Sequence, residues 1–260
     1  ILRAKRLSIE HKRHKFNRGH IYTYNQGISL VRASYYMVLS PDDCIIPGRL
    51  IRLLEGLIRH PSASLAFAPA YTGKDVNSVT GMLGIHGFEH LPRDKESLLT
   101  GGQFREILSS LWFNPVPTPS ALVRTEAQRH VGGYRYTHPS AGDLEMWLRL
   151  SYVGPVVYVP EPVAFYRTHT GSMQHSYKAS EYREWIHMVR VYAGMGLTKG
   201  MRSLGRELAW TTNFHRRTDL RPAINWLLAL AAQPNWVRCL RQMQHSIARR
   251  MASLLGHITN

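Results

Sequence analysis

The sequence has few cysteines and no long apolar run. Its 260 residues include only two cysteines, Cys44 and Cys239, which lie far apart and have no partner at metal-ligand spacing. A disulfide framework is therefore not expected, and a reducing cytosol is the simplest compartment. The longest apolar stretch, residues 223–232, is shorter than the roughly 18 residues that cross a bilayer, so it predicts a buried helix instead.

Acidic residues are also scarce, because 17 aspartates and glutamates stand against 33 lysines and arginines and leave a formal net charge of +16. Three partners could explain this charge: nucleic acid, an anionic membrane surface or a phosphorylated substrate. An arginine-rich composition without a specific purpose is a further explanation. Since the sequence has no zinc-finger spacing and no aromatic-basic RNA motif, we expect no specific nucleic-acid partner.

Strand-like and helix-like segments alternate through the first two thirds of the chain. The predicted strands cover residues 7–16, 35–39, 64–70, 120–123, 156–159 and 163–166, and the predicted helices cover 24–33, 47–60, 104–112, 124–131 and 143–152. This alternation predicts an α/β layer sandwich with a mostly parallel sheet. Beyond residue 177 only helical patterns follow. We therefore expect one domain over residues 1–177 and a helical extension over 178–260.

An acidic pair, Asp42-Asp43, directly follows the predicted strand at residues 35–39. In open α/β sheets ligands bind at the carboxyl ends of strands. Two adjacent carboxylates at such a position can hold a hard divalent cation, which in turn can bridge a diphosphate. The alternative is an ordinary turn, because Ser-Pro-Asp-Asp also has good turn chemistry.

Two further constellations carry candidate chemistry. Asp143 lies at a predicted helix start, where it either caps free amides or acts as a general base. Trp147, one turn later, either offers a stacking face or belongs to the core. Arg167 and His169 point the same way at the end of a strand and could meet a phosphate or a metal. A surface arginine and an exposed histidine are the alternative.

The order and spacing of these segments resemble family-2 glycosyltransferases over residues 16–176. The first half of the resemblance lies in Asn17-x-Gly19, Asn25-x-Gly27 and Ala-Ser-Tyr-Tyr-Met-Val-Leu-Ser-Pro-Asp-Asp at 33–43. The second half lies in Val-Gly-Gly-Tyr at 131–134, Asp-Leu-Glu-Met-Trp-Leu-Arg at 143–149 and Tyr-Arg-Thr-His at 166–169. By this resemblance the fold is GT-A, a Rossmann-like α/β/α sandwich.

The resemblance also implies residue roles. On the donor side, Asn25, Asp42, Asp43 and Arg167 would bind the nucleotide-diphosphate sugar. A divalent cation, Mg²⁺ or Mn²⁺, would be held by Asp42, Asp43 and His169. Asp143 would be the catalytic base, and Trp147 and Arg149 would belong to the helix that shapes the acceptor side.

Two features depart from the family pattern. Ser40 stands where the family carries its first acidic residue. The family's first strand and its nucleobase-binding acidic turn should lie before Ile1, so the sequence is expected to be an amino-terminally truncated fragment without its first βαβ unit.

The implied function is inverting transfer of a sugar to the hydroxyl of a carbohydrate or lipid-linked acceptor, in cell-surface polysaccharide or glycolipid assembly. A catalytically silent binding module is the first alternative. A basic membrane-surface protein is the second, because the helices from residue 221 onward combine Trp226 and Trp236 with Arg238 and Arg241 in an amphipathic mix suited to an anionic surface. The expected location is the cytoplasm, with peripheral contact to the inner face of the membrane as an option.

Overall fold

The computed structural model describes residues 9–109, 114–171 and 184. Within those ranges the helices are α1 (His20–Leu30), α2 (Leu50–Arg59), α3 (Gly101–Ser109), α4 (Thr125–Val131) and α5 (Gly142–Val153), with a short 3-10 helix at Thr118–Ser120. The strands are β1 (Tyr35–Tyr36), β2 (Cys44–Ile45), β3 (Leu65–Phe67), β4 (Ala70–Gly73), β5 (Val79–Leu83), β6 (Ser97–Leu99), β7 (Ala121–Arg124), β8 (Val156–Tyr158) and β9 (Ala164–Arg167).

A five-stranded sheet in the order β1-β7-β3-β8-β6 forms the centre of the fold. Its middle strands, β3 and β8, run parallel and are buried along their whole length. Strands covered on both faces read as continuous apolar runs, which is why Leu-Ala-Phe and Val-Val-Tyr need no polar alternation.

Helices cover both faces of this sheet. Leu65 and Phe67 of β3 pack into a core with Trp147 of α5 and Phe104 of α3. Ala66, which points the opposite way, packs with Leu53 and Leu57 of α2. Because successive strand residues face opposite sides, one strand joins both cores, and the result is the expected α/β/α sandwich.

A second sheet, in the order β2-β9-β4-β5, extends the structure beside the first. Two residues connect β3 of the first sheet to β4 of the second. Strand β5 then pairs with β4 to form an antiparallel hairpin. Apart from Ala70, this hairpin lies beyond the predicted strand at 64–70, in a segment for which no strand was predicted. Its partner β9 runs parallel to β4 and brings Arg167 beside Gly73.

The mixed α/β class is confirmed, but the prediction of a mostly parallel sheet is wrong for the described residues. Only the β3–β8 and β4–β9 pairings are parallel, and the other five are antiparallel. Strands β1, β2, β5, β6 and β7 are antiparallel to every neighbour with which they pair.

Some predicted elements change length or lie outside the described residues. Residues 9–16 contain no strand, and the predicted strand at 35–39 is reduced to β1. The predicted helical extension, apart from Glu184, falls outside the described part of the chain. None of the helices within the described part combines the length and hydropathy that a membrane span requires.

Candidate active site

The acidic pair lies in the connection between β1 and β2. A turn in which the Asp43 N–H donates to the Ser40 carbonyl at 3.1 Å sets its conformation. Oδ1 of Asp43 then accepts the backbone N–H of Arg167 at 3.0 Å. Because β2 also pairs with β9, the carboxylates are tied to the strand end that carries the second constellation.

The residues after β9 face the same carboxylates. Nε2 of His169 lies 2.9 Å from Oδ2 of Asp42, and both side chains remain more than a third exposed. The guanidinium of Arg167 donates from Nε to the Lys74 carbonyl at 3.1 Å, in the turn between β4 and β5. The structure therefore brings the acidic pair together with Arg167 and His169, although 124 positions separate Asp43 from Arg167 and 127 separate Asp42 from His169.

Asp143 occupies the first turn of α5. Oδ2 accepts the hydroxyl of Thr118 at 2.9 Å, and Oδ1 accepts the backbone N–H of Leu144 at 2.8 Å. Burial raises the pKa of the Asp143 carboxyl above its ordinary value, while hydrogen bonds from Thr118, Leu144 and Asn114 lower it in part. A carboxylate with a raised pKa has increased basicity, which suits a group that must accept a proton.

Asp143 lies close to the acidic pair, because the 3-10 helix that carries Thr118 contacts both β2 and β9. Two tyrosines lie in the same region. Burial is the main cause of the raised pKa values of Tyr24 and Tyr166, the latter to about 12. The charges of Asp42, Asp43 and Asp143 raise both values further. Since Coulomb interactions weaken with distance, these shifts agree with the three carboxylates lying around one cleft.

Neither tyrosine was singled out from the sequence, although Tyr24 precedes Asn25 and Tyr166 begins the motif that contains Arg167 and His169. Tyr24 hydrogen-bonds the side chain of Ser40, the residue that replaces the family's first acid. Both phenols are protonated at neutral pH, as an ordinary tyrosine is, and their raised pKa values keep them protonated to higher pH.

The predicted donor-binding role of Asn25 does not agree with its contacts. Its amide nitrogen donates to the Tyr134 carbonyl at 2.8 Å, and its Oδ1 accepts the Tyr134 N–H at 2.7 Å. Asn25 therefore uses both ends of its amide to attach α1 to the turn after α4. The conformational demand of that turn explains Gly132, whose φ is 80°.

The predicted acceptor-side residues Trp147 and Arg149 are likewise structural. Trp147 is 1% exposed and belongs to the main core. Arg149 is 8% exposed. Its Nε donates to both oxygens of the fully buried Glu145 at 2.8 and 2.9 Å, and its Nη2 donates to Oε2 of Glu145 at 2.7 Å. The guanidinium also donates to carbonyls in the turn after α4. Because both side chains are buried, neither can offer a face to an acceptor. The spacing of residues along a helix does not reveal which face of that helix its neighbours cover.

We expect Arg149→Leu to lower the free energy of unfolding by about 3 kcal/mol, because it leaves the carboxylate of Glu145 buried without its main partner. Urea unfolding followed by circular dichroism measures this loss. The exposed Arg129 is the matched control, and Arg129→Leu should change stability by less than about 1 kcal/mol. Equal effects of the two changes would contradict the structural role of Arg149.

The chemistry of the acidic pair suits a divalent cation. Carboxylate oxygens are preferred ligands of Mg²⁺ and Mn²⁺, and Mg²⁺ commonly uses one or two carboxylates completed by substrate phosphates and water. Within the described residues no group of three or more Asp, Glu, His or Cys side chains forms a preassembled metal site. Asp42 and Asp43 therefore fit a cation that a diphosphate completes, and the cation remains a prediction.

Comparison with known proteins agrees with this geometry. The family model "Glycosyl transferase family 2" matches residues 2–112, which include the acidic pair. No curated protein matches the chain significantly. Among solved structures, TarS 1-349 of S. aureus in complex with UDP-GlcNAc is similar with a TM-score of 0.54 at 12% identity, covering 82% of this chain and 60% of that one.

A second structure of the same protein, TarS 1-349 with UDP, gives a TM-score of 0.51 at 12% identity and covers 82% of this chain and 59% of that one. At such low identity the likeness shows the fold alone, and the chain spans about 60% of the length of the structure it resembles. The resemblance found in the sequence is nevertheless confirmed for residues 2–112, which match the family 2 model, and the described residues have a GT-A-like α/β fold.

Proposed function

We propose that this chain is the catalytic part of a glycosyltransferase that moves a sugar from a nucleotide diphosphate to an acceptor hydroxyl. One observation carries the proposal: Thr118, which binds Asp143, lies on a 3-10 helix that contacts β2 and β9, the strands at which Asp43 meets Arg167. The acidic pair and Asp143 therefore lie close together within a GT-A fold. A diphosphate-binding acid pair and a separate base on opposite sides of a small cleft are what such a transfer requires.

The donor side is formed by Asp42, Asp43, Arg167 and His169. The two carboxylates, with His169, would hold Mg²⁺ or Mn²⁺, which supplies positive charge to the donor's diphosphate when it is bound. Arg167 would place its guanidinium against the same phosphates as the leaving group gains negative charge. Because the similar structures hold UDP-GlcNAc and UDP, we take a UDP-sugar as the first donor to test.

Asp143 would serve the acceptor. Its carboxylate accepts the proton of the acceptor hydroxyl while that oxygen forms a bond to the anomeric carbon. The bond from the anomeric carbon to the diphosphate breaks at the same time, and the nucleoside diphosphate leaves with the electron pair. Attack from the face opposite the leaving group inverts the anomeric configuration.

The direct test is release of UDP from UDP-GlcNAc by the purified chain, in Mn²⁺ and in EDTA, with carbohydrate acceptors present and absent. Acceptor-dependent release supports the proposal. Analysis of the product's anomeric configuration by NMR then tests inversion. If UDP-sugars neither bind nor react in either condition, the assignment fails for this donor class.

The partly buried position of Asp143 predicts the pH dependence of transfer. A base acts only when it is deprotonated, so the rate should fall as the pH falls through the pKa of Asp143. Because that pKa is raised, the acid limb of kcat/KM should lie above the range of an ordinary aspartate. Thr118→Val removes a hydrogen bond to the carboxylate and should move the limb to higher pH.

Thr118→Ser keeps the hydroxyl and is the control for this pH experiment. Its acid limb should coincide with that of the wild type, because Ser can donate to Oδ2 of Asp143 in the same way. Coincident limbs for the valine variant and the wild type would mean that Asp143 is not the group that titrates.

A catalytically silent binding module is the second candidate, and Ser40 favours it. Its side chain bonds Tyr24 where the family's first carboxylate should stand, which reduces the negative charge available for a cation. Donor binding without any turnover, with all acceptors tested, would select this candidate. Contact with an anionic membrane surface stays a prediction, since Trp226 and Trp236 lie outside the described residues. The expected cytoplasmic location also stays a prediction.

A further inference from the structure

Glu184 is a buried carboxylate that the site described above does not use. It is 7% exposed. Its Oε2 accepts two backbone N–H groups, from Ser140 at 2.7 Å and from Ala141 at 2.8 Å. Ala141 is the residue that immediately precedes α5, and Asp143 follows it by two positions.

We propose that Glu184 is a positioning residue, whose carboxylate fixes the turn that begins α5 and thereby holds Asp143 in the cleft. The inference rests on the proposed function, because it concerns the residue that serves as base. The inference assigns a role to a glutamate outside the sequence motifs. Glu184 also lies outside the family match, which ends at residue 112.

The start of α5 needs a partner from elsewhere in the chain. The first N–H groups of a helix have no acceptor within the helix, and a serine, threonine, asparagine or aspartate usually supplies one. Ala141 stands at that position and has no capping side chain. Glu184 accepts the N–H groups of Ser140 and Ala141, the two residues before the helix, as the carboxylate of a capping box accepts the N–H of the N-cap residue. Its negative charge is also favoured at the positive end of the helix dipole.

The same turn is held from a second side and has little freedom. A ring nitrogen of His20 in α1 lies 2.7 Å from the Pro139 carbonyl. Gly142 alone separates Ala141 from Asp143, and a Cβ there would lie 3.2 Å from Cδ1 of Ile21. With Pro139, Ser140 and Ala141 all fixed, the direction in which Asp143 leaves the backbone is fixed as well.

Such placement matters because the reaction depends on distance. A displacement of about 1 Å at a reacting group can lower a rate by about 10²-fold. Loss of the Glu184 carboxylate should free the turn and displace Asp143 by less than about 1 Å. The donor side at Asp42 and Asp43 keeps its own attachments to β9. The effect should therefore appear in kcat and not in donor binding.

The test compares Glu184→Ala and Glu184→Gln in the full chain. The alanine variant should lose about tenfold in kcat with donor KM unchanged. Its acid limb should move to lower pH, because a looser turn lets water reach the Asp143 carboxyl. The glutamine variant keeps an acceptor oxygen and should recover most of the rate. Glu126→Ala removes an exposed glutamate from the first turn of α4 and should change neither quantity.

Hydrogen–deuterium exchange provides a readout that needs no activity. The amides of Ser140 and Ala141 should exchange faster in Glu184→Ala than in the wild type, with little change in α2. If the wild type transfers no sugar, the proposed function fails while this measurement still decides the role of Glu184. If the alanine variant has the same kcat, pH profile and amide exchange rates as the wild type, the inference is overturned.

If Glu184→Ala does not fold, Glu184→Asp decides instead. Aspartate keeps the charge but is one methylene shorter, so it cannot reach both amides without a shift of the turn. Faster exchange and a lower kcat in this variant support the positioning role, and wild-type values overturn it.

Discussion

Asp143→Asn should lower kcat by about 10²–10⁴-fold, because the amide cannot accept the proton of the acceptor hydroxyl. The substitution is nearly isosteric, and the amide oxygen can still accept the hydroxyl of Thr118. Donor binding should be unchanged, since the carboxylates that face the diphosphate are Asp42 and Asp43. Steady-state kinetics with a UDP-sugar, combined with titration calorimetry of UDP, separates the two quantities.

The control for this substitution is Asp94→Asn, which makes the same chemical change at an exposed position away from the cleft. It should leave kcat and the affinity for UDP unchanged. The thermal midpoint of Asp143→Asn should not fall, because burial already disfavours the charged form of this carboxyl and the amide carries no charge. An Asp143→Asn variant with wild-type kcat would remove Asp143 from the role of base.

The structure brings together the residues predicted for the donor side and buries those predicted for the acceptor side, for a physical reason. The acidic pair precedes β2, and Arg167 and His169 lie at and after the end of β9. Because β2 and β9 pair in opposite directions, the start of one strand lies beside the end of the other. Trp147 and Arg149 were assigned from their spacing on α5, but the spacing says nothing of the helices and turns that cover them.

Asn25 and Glu184 show what a sequence pattern cannot contain. Asn25 lies in a family motif, yet its amide is occupied by the backbone of Tyr134, 109 positions away. Glu184 lies in a segment where the pattern indicated only helix, yet it binds the two backbone N–H groups that precede α5. Backbone partners of this kind depend on the tertiary arrangement, since any residue can supply the N–H or the carbonyl.

Strand direction was the main failure of the fold prediction, and the β4–β5 hairpin explains part of it. Alternation of strands and helices favours parallel pairing, but it does not identify strands that are added at the edges. Val79–Leu83 carries no clear period-two pattern and is almost wholly exposed, so it could not be read as a strand. It forms because β4 is already in place and offers free hydrogen-bonding groups along its edge.

The second large effect is expected from the acidic pair. Asp43→Asn should lower the affinity for UDP in the presence of Mn²⁺ by at least about tenfold, because it removes a charge at the diphosphate end of the cleft. The asparagine Oδ1 can still accept the N–H of Arg167, so the loop keeps its attachment to β9. Asp42→Asn should have a similar effect while keeping an acceptor for His169.

Stability distinguishes this loss of binding from simple damage to the fold. Burial and the charge of Asp42 raise the pKa of the Asp43 carboxyl, so the ionised form costs the folded protein free energy at neutral pH. Replacing it by an uncharged amide removes that cost, and the thermal midpoint should stay the same or rise as the affinity falls. Calorimetric titrations of UDP with Mn²⁺ and with EDTA give the comparison. If wild type and both asparagine variants bind UDP equally in the two conditions, the acidic pair holds no cation. Such pairing of lost binding with retained or greater stability is expected only where carboxylates are kept together for a ligand.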